Sequence, residues 1–305
     1  PRIKAKLEIA WKESGAENST SDPRNHFSGN MKIEVRGSSS QMFPKKSYGF
    51  ELKDEFDADT DFPLLGMPAE EDWILYAPYS DKSLIRNVLT LTIADQIGSV
   101  YSPRCKFVEL FVNNKYDGVY VLMEQIKRDS NRVDVAKLRQ QDIDGKQLTG
   151  GYIIKVDKQT GGGGDGWNSQ YYNANNSKTF YQYDYPSSSD IQPQQKNYIR
   201  DYVDDFETAI YNEDRSAETG YLNFMEPESF YDMIIMNEFS KNVDGYRLST
   251  YLYKDKNKKL NAGPIWDYNL AYGNANYLNG WETTGLQINA DLGTDYWQNP
   301  FWWIK

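Results

Sequence analysis

Cysteine and histidine are almost absent from this chain. Cys105 and His26 are the single examples in 305 residues, so no intrachain disulfide can form and no cysteine-rich zinc site can be built. Histidine triads, two-histidine zinc motifs and facial-triad iron sites are excluded unless they rest on His26. That residue lies in the polar stretch 18–30 and reads as a surface loop residue. Runs of 18 apolar residues are also missing, so no segment is expected to span a membrane. Positive charge is in deficit: 34 Lys and Arg face 44 Asp and Glu, a formal −10. Such a field repels phosphate polymers and argues against nucleic acid as a partner. Carboxylates, lysines, arginines and hydroxyls are what remain for chemistry.

What is present is enough for a large folded core. Hydrophobic residues make up 39% of the chain, and the aromatics reach 15%. The negative charge is concentrated: residues 1–140 carry 20 basic and 21 acidic side chains, residues 141–305 carry 14 and 23. The acidity of the second part is either a solvated surface or carboxylates gathered for a metal. One cysteine with many Tyr, Trp and Asn suits an extracytoplasmic or cell-surface protein of a bacterium.

Periodicity supplies the elements. Ile3, Ala5, Leu7 and Ile9 alternate as one face of a strand. A strand over 31–35 runs into the small-residue turn Arg36-Gly37-Ser38-Ser39-Ser40, and residues 45–52 return from it. Ser80 or Asp81 is expected to cap a helix over 83–97, with Leu84, Ile85, Val88, Leu89, Leu91 and Ile93 as its apolar positions. Residues 107–112 and 116–123 around Asn113-Asn114 read as a β-hairpin. The polar stretch 124–132 is the expected hinge, dividing a lobe over 1–126 (antiparallel sheet with one helix) from a mainly helical lobe over 127–305. In the second lobe a strand is expected over 151–156 and loop over 157–190, with helices over 194–211 and 228–240. Phe230, Ile234, Ile235 and Phe239 form the apolar stripe of the last helix, and short strands follow over 251–253 and 262–266. The chain is expected to continue beyond Lys305.

Three patterns bear on chemistry. The run Gly161–Gly166 lacks the lysine and hydroxyl of a phosphate loop and reads as a flexible loop. The turn Arg36–Ser40 followed by Lys45-Lys46 offers backbone N–H groups and a point cation, which an anion requires; it reads equally as a hairpin with a basic edge. Asp244 in a loop after a helix, with Asp267 at the end of a strand beyond a hairpin, is how kinase-like lobes place a catalytic carboxylate near a magnesium ligand. Asn269 can add an oxygen donor.

Six ordered motifs resemble the CotH kinase family, whose members include secreted and surface proteins of bacteria and which is named for a spore-coat protein. They are Arg36-Gly37-Ser38-Ser39, Pro44-Lys45-Lys46-Ser47-Tyr48, Asp81-Lys82-Ser83-Leu84-Ile85-Arg86-Asn87, Gly118-Val119-Tyr120, Gly150-Gly151-Tyr152, and Asn242-Val243-Asp244-Gly245 with Trp266-Asp267-Tyr268. The resemblance implies an α+β, bilobed, atypical protein-kinase-like fold and ATP- and Mg²⁺-dependent phosphorylation of Ser or Thr in a protein substrate, with the site between the lobes. It implies Asp244 as the catalytic aspartate, Asp267 as the metal aspartate with Asn269 as a further metal donor, and Lys46 at the ATP phosphates, with Lys45 able to trade places. Arg36, Ser38, Ser39, Glu124 and Arg86 are the further nucleotide-site candidates. Ser249 stands where protein kinases place a second magnesium-binding asparagine. A non-catalytic surface or coat-assembly module is the alternative, binding protein or glycan through Trp297, Trp302, Trp303 and the tyrosines of 171–185; a carboxylate-pair glycosidase is a further one.

Overall fold

A computed structural model describes residues 1–98, 101–158, 165–173, 176–289 and 300–304. Trp297 and residues 161–164 of the glycine run lie outside the described residues. The chain divides into two compact units, residues 1–82 with 103–125 and residues 83–102 with 126–305. The class is α+β, with antiparallel sheets and segregated helices.

The first unit is a six-stranded antiparallel sheet in the order β1-β2-β3-β4-β6-β5. Its strands are β1 (Ile3–Ile9), β2 (Phe27–Arg36), β3 (Ser47–Lys53), β4 (Asp72–Tyr76), β5 (Cys105–Val112) and β6 (Lys115–Glu124). Period-2 alternation sends Phe50, Leu52, Trp73, Leu75, Tyr120 and Leu122 into one core with Leu64 and Met67. Asn113 and Asn114 both take positive φ (50° and 62°), the paired left-handed conformation that matches strand twist in a two-residue hairpin. His26 is not a loose surface residue. It is half-buried, accepts a hydrogen bond from the Leu65 N–H at 2.8 Å, and lies edge-on to Trp11 and Phe62. Burial lowers its pKa, so the one histidine is a neutral acceptor in an aromatic cluster.

The second unit is mixed: it joins a five-stranded antiparallel sheet, order β11-β10-β7-β9-β8, to its helices. The strands are β7 (Tyr152–Val156), β8 (Gly166–Tyr172), β9 (Lys178–Tyr185), β10 (Thr250–Lys254) and β11 (Leu260–Ala262). The helices are α1 (Arg86–Ile97), the single turn α2 (Gly145–Leu148), α3 (Pro193–Tyr211) and α4 (Pro227–Ser240). The helix expected in the first lobe, α1, belongs to this unit and packs with α4. It starts at Arg86, after Leu84 in the left-handed region (φ 66°), with Ile85 at its N-cap and no side-chain cap. The expected cap at Ser80 or Asp81 is therefore corrected. Its buried positions are Asn87, Thr90, Leu91 and Ala94, whereas Ile85 and Leu89 are exposed. The expected stripe of α4 holds at Phe230 and fails at Ile235 and Phe239, which face water, while Met233, Met236, Asn237 and Ser240 are buried with Phe230.

Residues 166–172 and 178–185, expected as loop, form β8 and β9. Their inward positions include Ser169 and Gln182, both buried, and each finds a partner. Ser169 Oγ donates to Glu207 Oε2 at 2.7 Å; Gln182 Nε2 donates to the Asp157 and Lys158 carbonyls at 2.7 and 3.1 Å. Trp302 and Trp303 are buried as well, against Phe206, Phe230 and Tyr246. Two of the tryptophans that the alternative reading assigns to a binding surface are thus core residues.

Candidate active site

Helix α4 ends because Lys241 adopts the left-handed conformation (φ 52°), the usual way a chain turns off a helix. The loop Asn242–Arg247 that follows is fixed from below by Asn237 of α4. The Asn242 N–H donates to the Asn237 carbonyl at 2.9 Å, and the Asn242 side chain accepts from the Asp244 N–H at 3.2 Å. Gly245 has no room for a side chain, since a Cβ there would meet Asn237 Cγ at 2.7 Å. Tyr268, between Asp267 and Asn269, is buried and donates its hydroxyl to Asn237 Oδ1 at 2.7 Å. One buried asparagine therefore touches the loop that holds Asp244 and the segment that holds Asp267.

Asp244 is partly exposed, and its Oδ1 accepts from Arg247 Nη2 at 2.6 Å. Arg247 is nearly buried, so this is a charge-assisted pair with one partner held rigidly. The Tyr277 hydroxyl lies 3.3 Å from both carboxylate oxygens of Asp244. Burial and the negative fields of Asp244 and Asp267 hold the Tyr277 hydroxyl well above its ordinary pKa, with Arg247 opposing them. Asp267 is exposed and has φ 65°. A non-glycine residue in that region costs energy and persists where surrounding structure imposes it, often at functional sites. Ser249, just before β10, is also left-handed (φ 49°).

Arg86 opens α1 and belongs to the same unit. Its Nη1 donates to Ser83 Oγ at 3.0 Å and its Nη2 reaches the Tyr272 carbonyl at 3.5 Å. Thr90 Oγ1, one turn on, donates to the Tyr272 hydroxyl at 3.0 Å, and the Tyr272 N–H donates to the Ser240 carbonyl at 2.7 Å. These bonds tie α1, the end of α4 and the chain after Asn269 together.

In the first unit the expected phosphate turn is longer than a tight hairpin. Gly37 takes φ 105°, and Ser39–Met42 form a 3₁₀ turn with Ser38 at its N-cap. Ser38 and Ser39 are exposed, and Arg36 is half-buried at the end of β2, opposite Ser47. Lys45 and Lys46 precede β3 rather than alternate within it. Lys46 Nζ donates to the Gln41 and Phe43 carbonyls, each at 2.6 Å, closing its own loop. Lys45 Nζ donates to the Val119 carbonyl at 2.6 Å and lies 4.4 Å from the Tyr120 ring centroid. Burial lowers its pKa, with Asp117 opposing. Gly118, at φ 94°, passes so close that a Cβ would lie 3.0 Å from Lys45 Nζ. The Lys45 and Gly118-Val119-Tyr120 motifs therefore meet. An ammonium has three donors; Lys46 has spent two of them on protein carbonyls, and Lys45 one. Glu124 ends β6, is buried, and accepts from the Arg104 N–H at 2.9 Å and from Arg104 Nη1 at 2.8 Å.

Magnesium needs hard oxygen donors. Asp267 and Asn269 supply a carboxylate and an amide oxygen two residues apart, in the segment that shares Asn237 with the Asp244 loop. This donor set fits such a cation. A second acidic group went unread in the sequence: the carboxylates of Asp61, Glu70 and Glu71 in the first unit lie within 4.8 Å of one another. The pair Glu70-Glu71 was visible, but only the fold brings Asp61 to it. Tyr277 was also missed, because a tyrosine in a polar turn carries no signal of its own.

A search of the curated proteins finds no match to the chain. A family model described as CotH kinase protein matches residues 33–305, and the chain belongs to that family.

Proposed function

We propose that this CotH kinase family member transfers the γ-phosphoryl group of ATP to serine or threonine hydroxyls of a protein substrate, with Mg²⁺ as its metal. The observation that carries the reading is that one buried residue, Asn237, is hydrogen-bonded both to the loop of Asp244 and to the segment of Asp267. Asp244 would accept the hydrogen bond of the acceptor hydroxyl and orient it for attack, a positioning role that phosphoryl transfer rewards strongly. Arg247 holds that carboxylate in place through a charge-assisted hydrogen bond. Asp267 and Asn269 would hold the metal, which when bound offsets phosphate charge. Lys45 and Lys46, with the turn Arg36–Ser39, are the proposed phosphate ligands of the first unit; Lys45, with two donors unspent, is the stronger of the two lysines.

A kinase of this design works without a histidine or a reactive cysteine. Cys105 is held as a thiol, with burial the largest of the causes that raise its pKa to about 11. The family and the composition together suit an extracytoplasmic or cell-surface setting in a bacterium. The test uses labelled ATP with Mg²⁺ and wild type, Asp244→Ala and Asp267→Ala. Wild type is expected to transfer label to an added acceptor protein and to be stabilised thermally by MgATP. Each variant is expected to lose transfer by at least about a hundredfold. Asp267→Ala should also lose the thermal shift. Transfer retained in both variants would refute the assignment.

A further inference from the structure

We propose that Tyr277 is an internal occupant of the acceptor position: its hydroxyl takes the place on Asp244 that a substrate hydroxyl must take, so the two exclude each other. This rests on the kinase reading above and adds to it a residue that governs acceptor access. Three observations support it. The Arg247 guanidinium donates to Oδ1 of Asp244 at 2.6 Å, and the carboxylate keeps acceptor capacity for a hydroxyl donor. The Tyr277 hydroxyl lies on that carboxylate, 3.3 Å from each oxygen. A charge-assisted O–H···O⁻ bond is normally 2.5–2.7 Å long, so this shared contact is a long one that a better-placed hydroxyl can displace.

The backbone around Tyr277 keeps it there. Its carbonyl accepts from the Gly280 N–H at 3.0 Å, and Leu278 and Asn279 between them both take positive φ (52° and 53°). That is the geometry of a tight type I′ turn. Gly280 in turn lies against Val243, the residue before Asp244: a Cβ on Gly280 would meet Val243 Cγ1 at 2.7 Å. The turn is thus packed directly on the loop that carries the carboxylate. Tyr277 is about one-third exposed (37%), so it lies at the surface rather than in the core. No element has to unfold for the hydroxyl to be exchanged.

The occupant would act on acceptor affinity. Removing the hydroxyl while keeping the ring, in Tyr277→Phe, frees Asp244 without changing its other partners. Initial rates with MgATP and dephosphorylated casein as the acceptor are expected to show kcat/KM raised about three- to tenfold over wild type. The gain should lie in a lower KM rather than in kcat. MgATP-dependent thermal stabilisation, measured on the same samples, reports nucleotide binding separately. Should wild type bind MgATP yet transfer nothing, transfer gained in Tyr277→Phe supports the proposal. An unchanged or reduced kcat/KM, or both proteins remaining inert while still stabilised by MgATP, overturns it and leaves nucleotide binding standing. Phosphate found on Tyr277 itself by peptide mass spectrometry overturns it too, making the residue an acceptor. If MgATP stabilises neither protein and neither transfers phosphate, the kinase reading fails and the inference falls with it.

Discussion

At the scale of single residues, the site depends on side chains that never touch a substrate. Asn237 is buried and bonded both to the loop of Asp244 and to the segment of Asp267, so it links the two. Gly245 is the counterpart, a residue selected for having no side chain where the backbone crosses Asn237. Gly245→Ala places a methyl group 2.7 Å from Asn237 Cγ and forces one of them to move. Overpacking of this kind costs about 1–3 kcal/mol. Denaturant unfolding should show that loss, and phosphoryl transfer should fall with it. An unchanged midpoint would mean that the loop shifts freely and that Asn237 does not position it. The sequence made Asp244 and Asp267 legible, because carboxylates after a helix and after a strand form a pattern. It left Asn237 and Tyr277 unread, because an asparagine within a helix and a tyrosine in a turn acquire meaning only from what the fold places beside them.

At the scale of elements, hydropathy located segments better than it oriented them. Helices α3 and α4 begin within one residue of the positions read from the sequence, since Pro193 and Pro227 mark first helical turns. The hairpin of β5 and β6 was legible from Asn113-Asn114 for the same kind of local reason. Strands β8 and β9 were not. Beside Trp167 and Phe180 they bury Tyr181, Thr179, Ser169 and Gln182, which hydropathy scores as surface, and it is Glu207 and the carbonyls of Asp157 and Lys158 that make burial of Ser169 and Gln182 tolerable. Helix α1 was placed but turned the wrong way, because Asn87 and Thr90 are buried while Ile85 and Leu89 face water. The two leucines of α1 measure this directly. Leu91→Ala should cost about 2–4 kcal/mol in a thermal or denaturant melt, and Leu89→Ala well under 1 kcal/mol. Equal losses would restore the orientation expected from hydropathy.

At the scale of the molecule, charge and pH are coupled through one buried acid. Glu207 of α3 is fully buried, accepting from Ser169 and from the Tyr181 hydroxyl at 2.8 Å. Trp302 Nε1 donates to that same tyrosine at 2.9 Å, which stitches the last aromatic turn to β9 and α3. Burial outweighs these bonds and, with Asp204 adding to it, raises the Glu207 carboxyl from its ordinary 4.5 to about 7. A carboxyl with a raised pKa binds its proton more tightly in the folded chain. Its contribution to stability is complete below 4.5 and is lost as pH rises to about 7. The loss is on the order of 3 kcal/mol. Glu207→Gln keeps the shape without the charge, and unfolding free energies measured from pH 4.5 to 7.5 should fall less steeply than in wild type. Parallel curves would assign the wild-type slope to other groups.

Cys105 lies on β5 opposite Met123, half-buried, with its thiol held protonated. The chain therefore offers thiol reagents an almost silent background. A single cysteine introduced at Asn279, on the turn that presents Tyr277, would react far faster at neutral pH than Cys105. A fluorophore or spin label placed there could follow the departure of that tyrosine in real time, in a chain that needs no other cysteine removed.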